Sequence, residues 1–245
     1  MTPSDPAAYG QAHAPVYEQI YGDRFDAVSA VTTLAAAASG GAVLELGLGT
    51  GRLAIPLARA GMRVDGIEAS EAMITRLRAQ PGANRVTVLR ADLADFDLPH
   101  HDYQVAVCAV STLFMLSHDA QQTCLNAVAR HLKPGGRVFI EAFVPDPSRF
   151  DADGHRIERR PAPAGGRHTV TSRHDPSRRR IHVRHSLSDP HGRSAHYEVT
   201  FHYSTPAELD AMAATAGLRP DGRWRDWTGA PADAGSCDPI SVYLH

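Results

Sequence analysis

Cysteine is scarce and scattered in this chain of 245 residues: Cys108, Cys124 and Cys237 are its three, and no two form a C-x-x-C pair. That spacing excludes a disulfide framework and a thiolate zinc knuckle, and leaves free thiols acting as small hydrophobes. An excess of one charge is also missing. Lys and Arg number 25 against 27 Asp and Glu, a formal charge of −2, so the chain lacks the basic excess of a dedicated nucleic-acid binder. No apolar run approaches the ~18 residues of a membrane-spanning helix. The opening stretch MTPSDPAAYGQAHAP has no basic segment followed by an apolar one, so a soluble cytoplasmic protein without a secretory leader is expected. The fourteen histidines show no metal-ligand spacing, and no metal site is expected. His100, His101 and Asp102 read as a solvated loop.

What is present is a hydrophobic fraction of 43%, enough for one ordinary core with an insertion. Residues 1–15 read as loose, and Val16–Ala38 as helical up to the Gly40–Gly41 break. Short apolar runs then alternate with helical stretches. Strands are expected at Ala42–Gly47, Arg63–Glu68, Arg85–Asp92, Tyr103–Val110 and Arg137–Phe143. Helices fall between them, one capped by Ser70 and one over His118–Leu132. This alternation predicts a parallel sheet covered on both faces.

The rhythm changes after Pro145. Residues 150–166 read as loop. HTVTSRHD, RRIHVRHSL and SAHYEVTFHY follow, separated by the turn signals DPSR and DPHG. In the last of these, Tyr197, Val199, Phe201 and Tyr203 share one face. The reading is an antiparallel sheet inserted into the main domain as a lid, substrate surface or homodimer surface. A helix from Thr205–Pro206 and two closing strands complete the chain. The domain reading is 1–149 with 204–245, and an insert over 150–203.

The segment LELGLGTGR (Leu44–Arg52) places three glycines between a buried strand and a helix. Glycine permits backbone angles that other residues avoid and lets a ligand approach the main chain, while the next helix turns free amides toward the same place. The dinucleotide fingerprint G-x-G-x-x-G fails because Arg52 stands where its last glycine belongs. The phosphate loop fails because no Gly-Lys-Ser/Thr follows.

The pattern Glu45-x-Gly47-x-Gly49-x-Gly51 resembles the first motif of class I S-adenosylmethionine-dependent methyltransferases. Glu68 and Asp92 ending the second and third strands, LKPGG before the fifth and the closing strand pair extend the likeness over about 16–143 and 204–245. The resemblance implies a Rossmann-like seven-stranded sheet with an inserted antiparallel sheet. It also implies S-adenosylmethionine as cofactor. Glu45 then faces the methionine ammonium, Glu68 with neighbouring Ala69 holds the ribose hydroxyls, and Asp92 meets the adenine amine. Cys108 and Ala109 line the cofactor through their backbone. Arg52 has two readings, a partner for the methionine carboxylate or a solvated residue on the first helical turn. Met73 and Leu93 either flank the adenine or fill the core.

VYEQIYGDRF resembles the tyrosine-bearing lid segment of small-molecule N-methyltransferases. Tyr17 and Tyr21 stand one helical turn apart and share a face. They either cover the sulfonium or pin the helix to the core. The tyrosine segment and the insert resemble amino-sugar N-methyltransferases, which implies Glu141 as the first candidate to bind or deprotonate the acceptor. His118 is a second candidate base and His202 a third. Ser111 and Thr112 are candidate polar contacts. Phe114, Phe143, Tyr197, Phe201 and Tyr203 are either an acceptor pocket or packing. The expected activity is in-line methylation of a small molecule or short peptide, at nitrogen before oxygen. O-methylation in a biosynthetic pathway, a cofactor binder that transfers nothing, and a nicotinamide oxidoreductase are the alternatives.

Overall fold

The structure is a computed structural model that describes residues 6–17, 20, 26–162, 165–189, 191 and 194–245. Its centre is β1 (Ala42–Leu46), buried at every position, as an inner parallel strand must be. β2 (Val64–Glu68) flanks it on one side and β4 (Tyr103–Cys108) on the other, both parallel to it. β3 (Val86–Arg90) and β5 (Leu132–Glu141) extend the parallel set. β11 (Ile240–Leu244) runs antiparallel to β5 and pairs with β10 (Arg219–Trp224). The order is β10-β11-β5-β4-β1-β2-β3, the expected seven-stranded Rossmann-like sheet. The order in which strands are added reverses between β1 and β4, and the carboxyl ends there open a crevice.

Strand alternation divides the core into two faces. Leu44, Leu46, Ala106, Val138 and Ile140 pack with α5 (His118–His131) and α6 (Pro206–Thr215). Val43, Val105, Val107 and Phe139 pack with α2 (Ala27–Ala38) and α3 (Ala54–Arg59). Each fully buried Leu, Val or Phe contributes roughly 1.5–3 kcal/mol of transfer free energy. Ser70 caps α4 (Glu71–Arg78), its hydroxyl accepting the Met73 N–H at 3.3 Å. Thr205 and Glu208 form a reciprocal capping box on α6.

The second sheet is antiparallel, in the order β6-β7-β8-β9. It comprises β6 (His155–Pro161), β7 (Arg167–Asp175), β8 (Arg180–Ser188) and β9 (Ser194–His202). One end is fixed to the main sheet. Phe143 packs edge-on against both Phe114 (5.3 Å between centroids) and Phe201 (5.4 Å). The Gln121 amide donates to the His202 carbonyl at 2.6 Å, and the Ser204 hydroxyl donates to the Gln121 side-chain oxygen at 2.9 Å.

Three expectations fail. Val16–Ala38, read as one helical stretch, is not continuous, because Val16 lies in a turn and α2 begins only at Ala27 after its cap Asp26. Residues 6–13, read as loose, form helix α1 (Pro6–His13). Tertiary contact stabilises this short helix, because Gly10 lies so close to α4 that an added Cβ would sit 2.4 Å from Ser70 Cβ. Residues 155–161, read as loop, form the edge strand β6. Its charges alternate in the strand period, with Arg156, Glu158 and Arg160 half-buried and Ile157 and Arg159 exposed. Charge on an edge strand limits pairing with other chains.

Candidate cofactor site

All three glycines after β1 have positive φ: 70° at Gly47, 55° at Gly49 and 88° at Gly51. Their surroundings differ. A Cβ on Gly47 would meet the Thr112 methyl at 2.4 Å, and one on Gly51 would meet Ile55 at 2.9 Å. Gly49 has nothing within 4 Å. Gly47 and Gly51 are therefore demanded by packing, whereas Gly49 presents bare backbone to open space.

Glu68 ties this loop to the end of β2. Its Oε2 accepts the Gly49 N–H and its Oε1 the Ser70 N–H, both at 2.9 Å. Each oxygen keeps a further lone pair for a ligand donor. Burial pushes the carboxyl pKa up, and the amides of Ser70 and Gly49 pull the other way.

Glu45 lies deeper, 5% exposed. Its Oε2 has no hydrogen-bond partner among the described residues. Burial pushes its pKa up to about 8, opposed by Arg52 and the Ala54 amide and reinforced by Glu68. A buried acceptor without a donor costs roughly 1–3 kcal/mol, and a bound cation or donor removes that cost. An orphaned carboxylate oxygen, an open glycine and a second acid with spare acceptor capacity fit a ligand bearing an ammonium and vicinal hydroxyls, as S-adenosylmethionine does.

The other expected residues distribute unevenly. Met73 and Leu93 are buried, Met73 beneath Gly10 of α1 and Leu93 in the core. Asp92 accepts the Ala94 N–H at 2.9 Å in its own turn. Cys108 ends β4 beside β1 and Ala109 follows it, both buried, and burial pushes the Cys108 thiol up to about 12. Ala69 is half-buried between Glu68 and Ser70. Arg52 is half-buried, with its charge felt by both Glu45 and Glu141. Tyr17 is edge-on to His13, with centroids 5.4 Å apart. Tyr21 lies outside the described residues.

Of the candidate bases, Glu141 has each carboxylate oxygen on a protein donor, the Val110 N–H at 2.8 Å and the Trp227 indole N–H at 3.0 Å. A His118 ring nitrogen lies 3.1 Å from the Tyr203 carbonyl, so Nε2 carries the proton there. Burial lowers the pKa of His202, helped by Arg180 and His118. Ser111 Oγ accepts the Phe143 N–H at 3.0 Å.

Sequence reading missed an array where α1 meets the second sheet. His13 lies 3.9 Å from Tyr197 between ring centroids, and Tyr197 stacks on His185 at 4.4 Å. His168 Nε2 lies 2.9 Å from His185 Nδ1. Burial lowers the His13 pKa to about 3, assisted by His185 and His168. His185 and Tyr197 are direct register partners and so share a face of the second sheet. The contribution from α1 had no local signal. A separate grouping of Asp97, His101 and His131 lies near the α5 C-terminus. There the Leu98 N–H donates to His131 Nε2 at 3.0 Å, and Nδ1 meets the Ala127 carbonyl at 2.7 Å, so the backbone occupies both His131 nitrogens.

Comparison with known proteins agrees with this geometry. Residues 43–136 match a methyltransferase domain family. The chain is 27% identical over 244 residues, 98% of each chain, to the cypemycin N-terminal methyltransferase of a Streptomyces species. CalS10, an amino pentose methyltransferase of Micromonospora echinaspora, shares the fold at 23% identity and a TM-score of 0.69, over 94% of this chain and 96% of that one. The CcbJ methyltransferase of Streptomyces caelestis superimposes with a TM-score of 0.90 at 34% identity, over 98% of both chains. No helix among the described residues is long and apolar enough to cross a membrane. A likeness of that extent to a methyltransferase, insert included, makes this chain a class I S-adenosylmethionine-dependent methyltransferase.

Proposed function

We propose that the enzyme methylates the nitrogen of a small molecule or short peptide. The observation that carries this reading is the end-to-end match, insert included, to a relative named for methylating an N-terminus. The amino pentose methyltransferase has the same overall fold. Bound S-adenosylmethionine supplies a methyl group already activated by its sulfonium. What remains for the protein is orientation, which can account for much of a rate, and an acceptor in its nucleophilic form.

In this reading, Glu45 takes the methionine ammonium, with Arg52 near the carboxylate. Glu68 takes the ribose hydroxyls and Asp92 the adenine amine. The inner face of the second sheet, with Tyr9, His13 and Tyr17 from the N-terminal segment, covers the acceptor. The same dry surroundings that hold His13 neutral favour the free base of an amine over its ammonium. Tyrosine faces suit the charge carried by a sulfonium. His118 and His202 remain candidates to receive the proton the amine loses. The enzyme is placed in the cytoplasm. A homodimer would form through the face of the second sheet on which Ile157 is 55% exposed, and not by pairing along the charged edge of β6.

The test is S-adenosylhomocysteine formation with a free-N-terminus tripeptide, an aminodeoxysugar and a catechol as acceptors. Turnover with the first or second, rising with pH toward the amine pKa, is expected. Turnover with the catechol alone would replace this reading with O-methylation.

A further inference from the structure

Glu141 holds a backbone conformation that the chain would otherwise resist. Val110 and Ser111 have φ of 54° and 57°. Consecutive non-glycine residues in the left-handed region are uncommon, and a β-branched valine there is sterically opposed. Such a turn persists only where its surroundings over-determine it. Here one residue takes both amides. The Val110 N–H donates to Glu141 Oε2, and the Ser111 N–H donates to the Glu141 main-chain carbonyl, each at 2.8 Å.

The carboxylate is itself fixed. Its Oε1 accepts the Trp227 indole N–H at 3.0 Å. Trp227 is 5% exposed, and its carbonyl accepts the Thr33 hydroxyl at 2.6 Å. The turn in turn shapes the glycine loop, because the next residue, Thr112, presses its methyl group against Gly47.

We propose that Glu141 and Trp227 form a positioning clamp. The indole fixes the carboxylate, the carboxylate holds Val110 left-handed while the Glu141 main-chain carbonyl holds Ser111, and that turn sets the loop on which the cofactor lies. Glu141 then acts through the backbone and not as the acceptor's base. The clamp rests on the reading that the cofactor lies along Gly47–Gly51.

The test measures S-adenosylhomocysteine affinity by calorimetry, alongside thermal unfolding. The proteins are wild type, Trp227→Phe, Glu141→Gln, Val110→Gly, and each clamp variant combined with Val110→Gly. Trp227→Phe and Glu141→Gln are expected to weaken binding about 10-fold, the scale of a lost hydrogen bond to a charged group. Val110→Gly makes the left-handed angle accessible without a clamp. Each double variant is therefore expected within about 3-fold of Val110→Gly alone, well under the loss each clamp change causes on its own. Unchanged affinity in the two single clamp variants would overturn the clamp and leave the cofactor placement standing. Weakened binding with no recovery in the doubles would overturn it as well, showing a general loss of fold. Wild-type protein that binds no S-adenosylhomocysteine would overturn the cofactor placement, and the clamp with it.

Discussion

The two ends of the seven-stranded sheet bury carboxylates under opposite conditions. At the amino end, Asp65 is buried and fully served. It accepts the Tyr103 hydroxyl at 2.7 Å, and the Arg63 guanidinium lies 3.6 Å away, over the Tyr103 ring. At the carboxyl end, Glu45 is equally buried but keeps an oxygen without a partner, and Glu68 and Glu141 depend on backbone or indole N–H groups. Burial drives the pKa upward at all three of these glutamates. An acid buried with its partners contributes to the fold. An acid buried without them is a cost the fold carries until a ligand arrives.

Breaking the carboxyl end should have the largest effect. On the proposed placement, Glu68→Ala removes an acceptor shared by the loop and the ligand. S-adenosylmethionine affinity is expected to fall about 100-fold in calorimetry, as two charge-assisted hydrogen bonds are lost. Unchanged affinity would remove Glu68 from the site. Breaking the amino end should have the converse signature. Tyr103→Phe leaves Asp65 without its hydroxyl donor. It should cost about 1–3 kcal/mol in denaturant unfolding with cofactor affinity unaltered. A loss of affinity there would show that the two ends are coupled.

The smallest signal is a proton count. With its pKa at about 8, Glu45 is largely protonated at pH 7 in the cofactor-free enzyme, and pairing with an ammonium requires it ionised. Binding should then release on the order of one proton, seen as unequal binding heats in Tris and phosphate buffers. Glu45→Gln should abolish the difference. The sign for stability follows from the same shift. Between the ordinary glutamate pKa of 4.5 and about 8, the folded state binds more protons than the unfolded one. The Glu45 contribution is therefore fully present below the lower value and lost as pH rises through the upper one. Equal heats in the two buffers, or an unchanged pH slope in Glu45→Gln, would contradict this.

The amino acid order made the inner strands of the main sheet legible because β1, β2 and β4 are short apolar runs. Ser70 and Thr205 announced their helices, and Glu45 with three spaced glycines announced the loop. The rest depended on contacts with no local trace. α1 is composed like a loose terminus and is helical because Gly10 fits against Ser70. β6 carries so many charges that its strand period was obscured. The indole contact on Glu141 could not be read because Trp227 lies 86 residues away. Nor does the chain order reveal that a valine, Val110, takes a backbone angle suited to glycine.

The fit of Gly47 against Thr112, and of Gly51 against Ile55, also bears on how spent cofactor leaves. The floor of the crevice is closely packed, since a side chain at either glycine would collide with Thr112 or Ile55. Exchange is therefore expected on the opposite side, where α1 rests on the second sheet through aromatic rings. The turnover ceiling would then belong to release of the ring contacts between α1 and Tyr197 and not to the glycine turn.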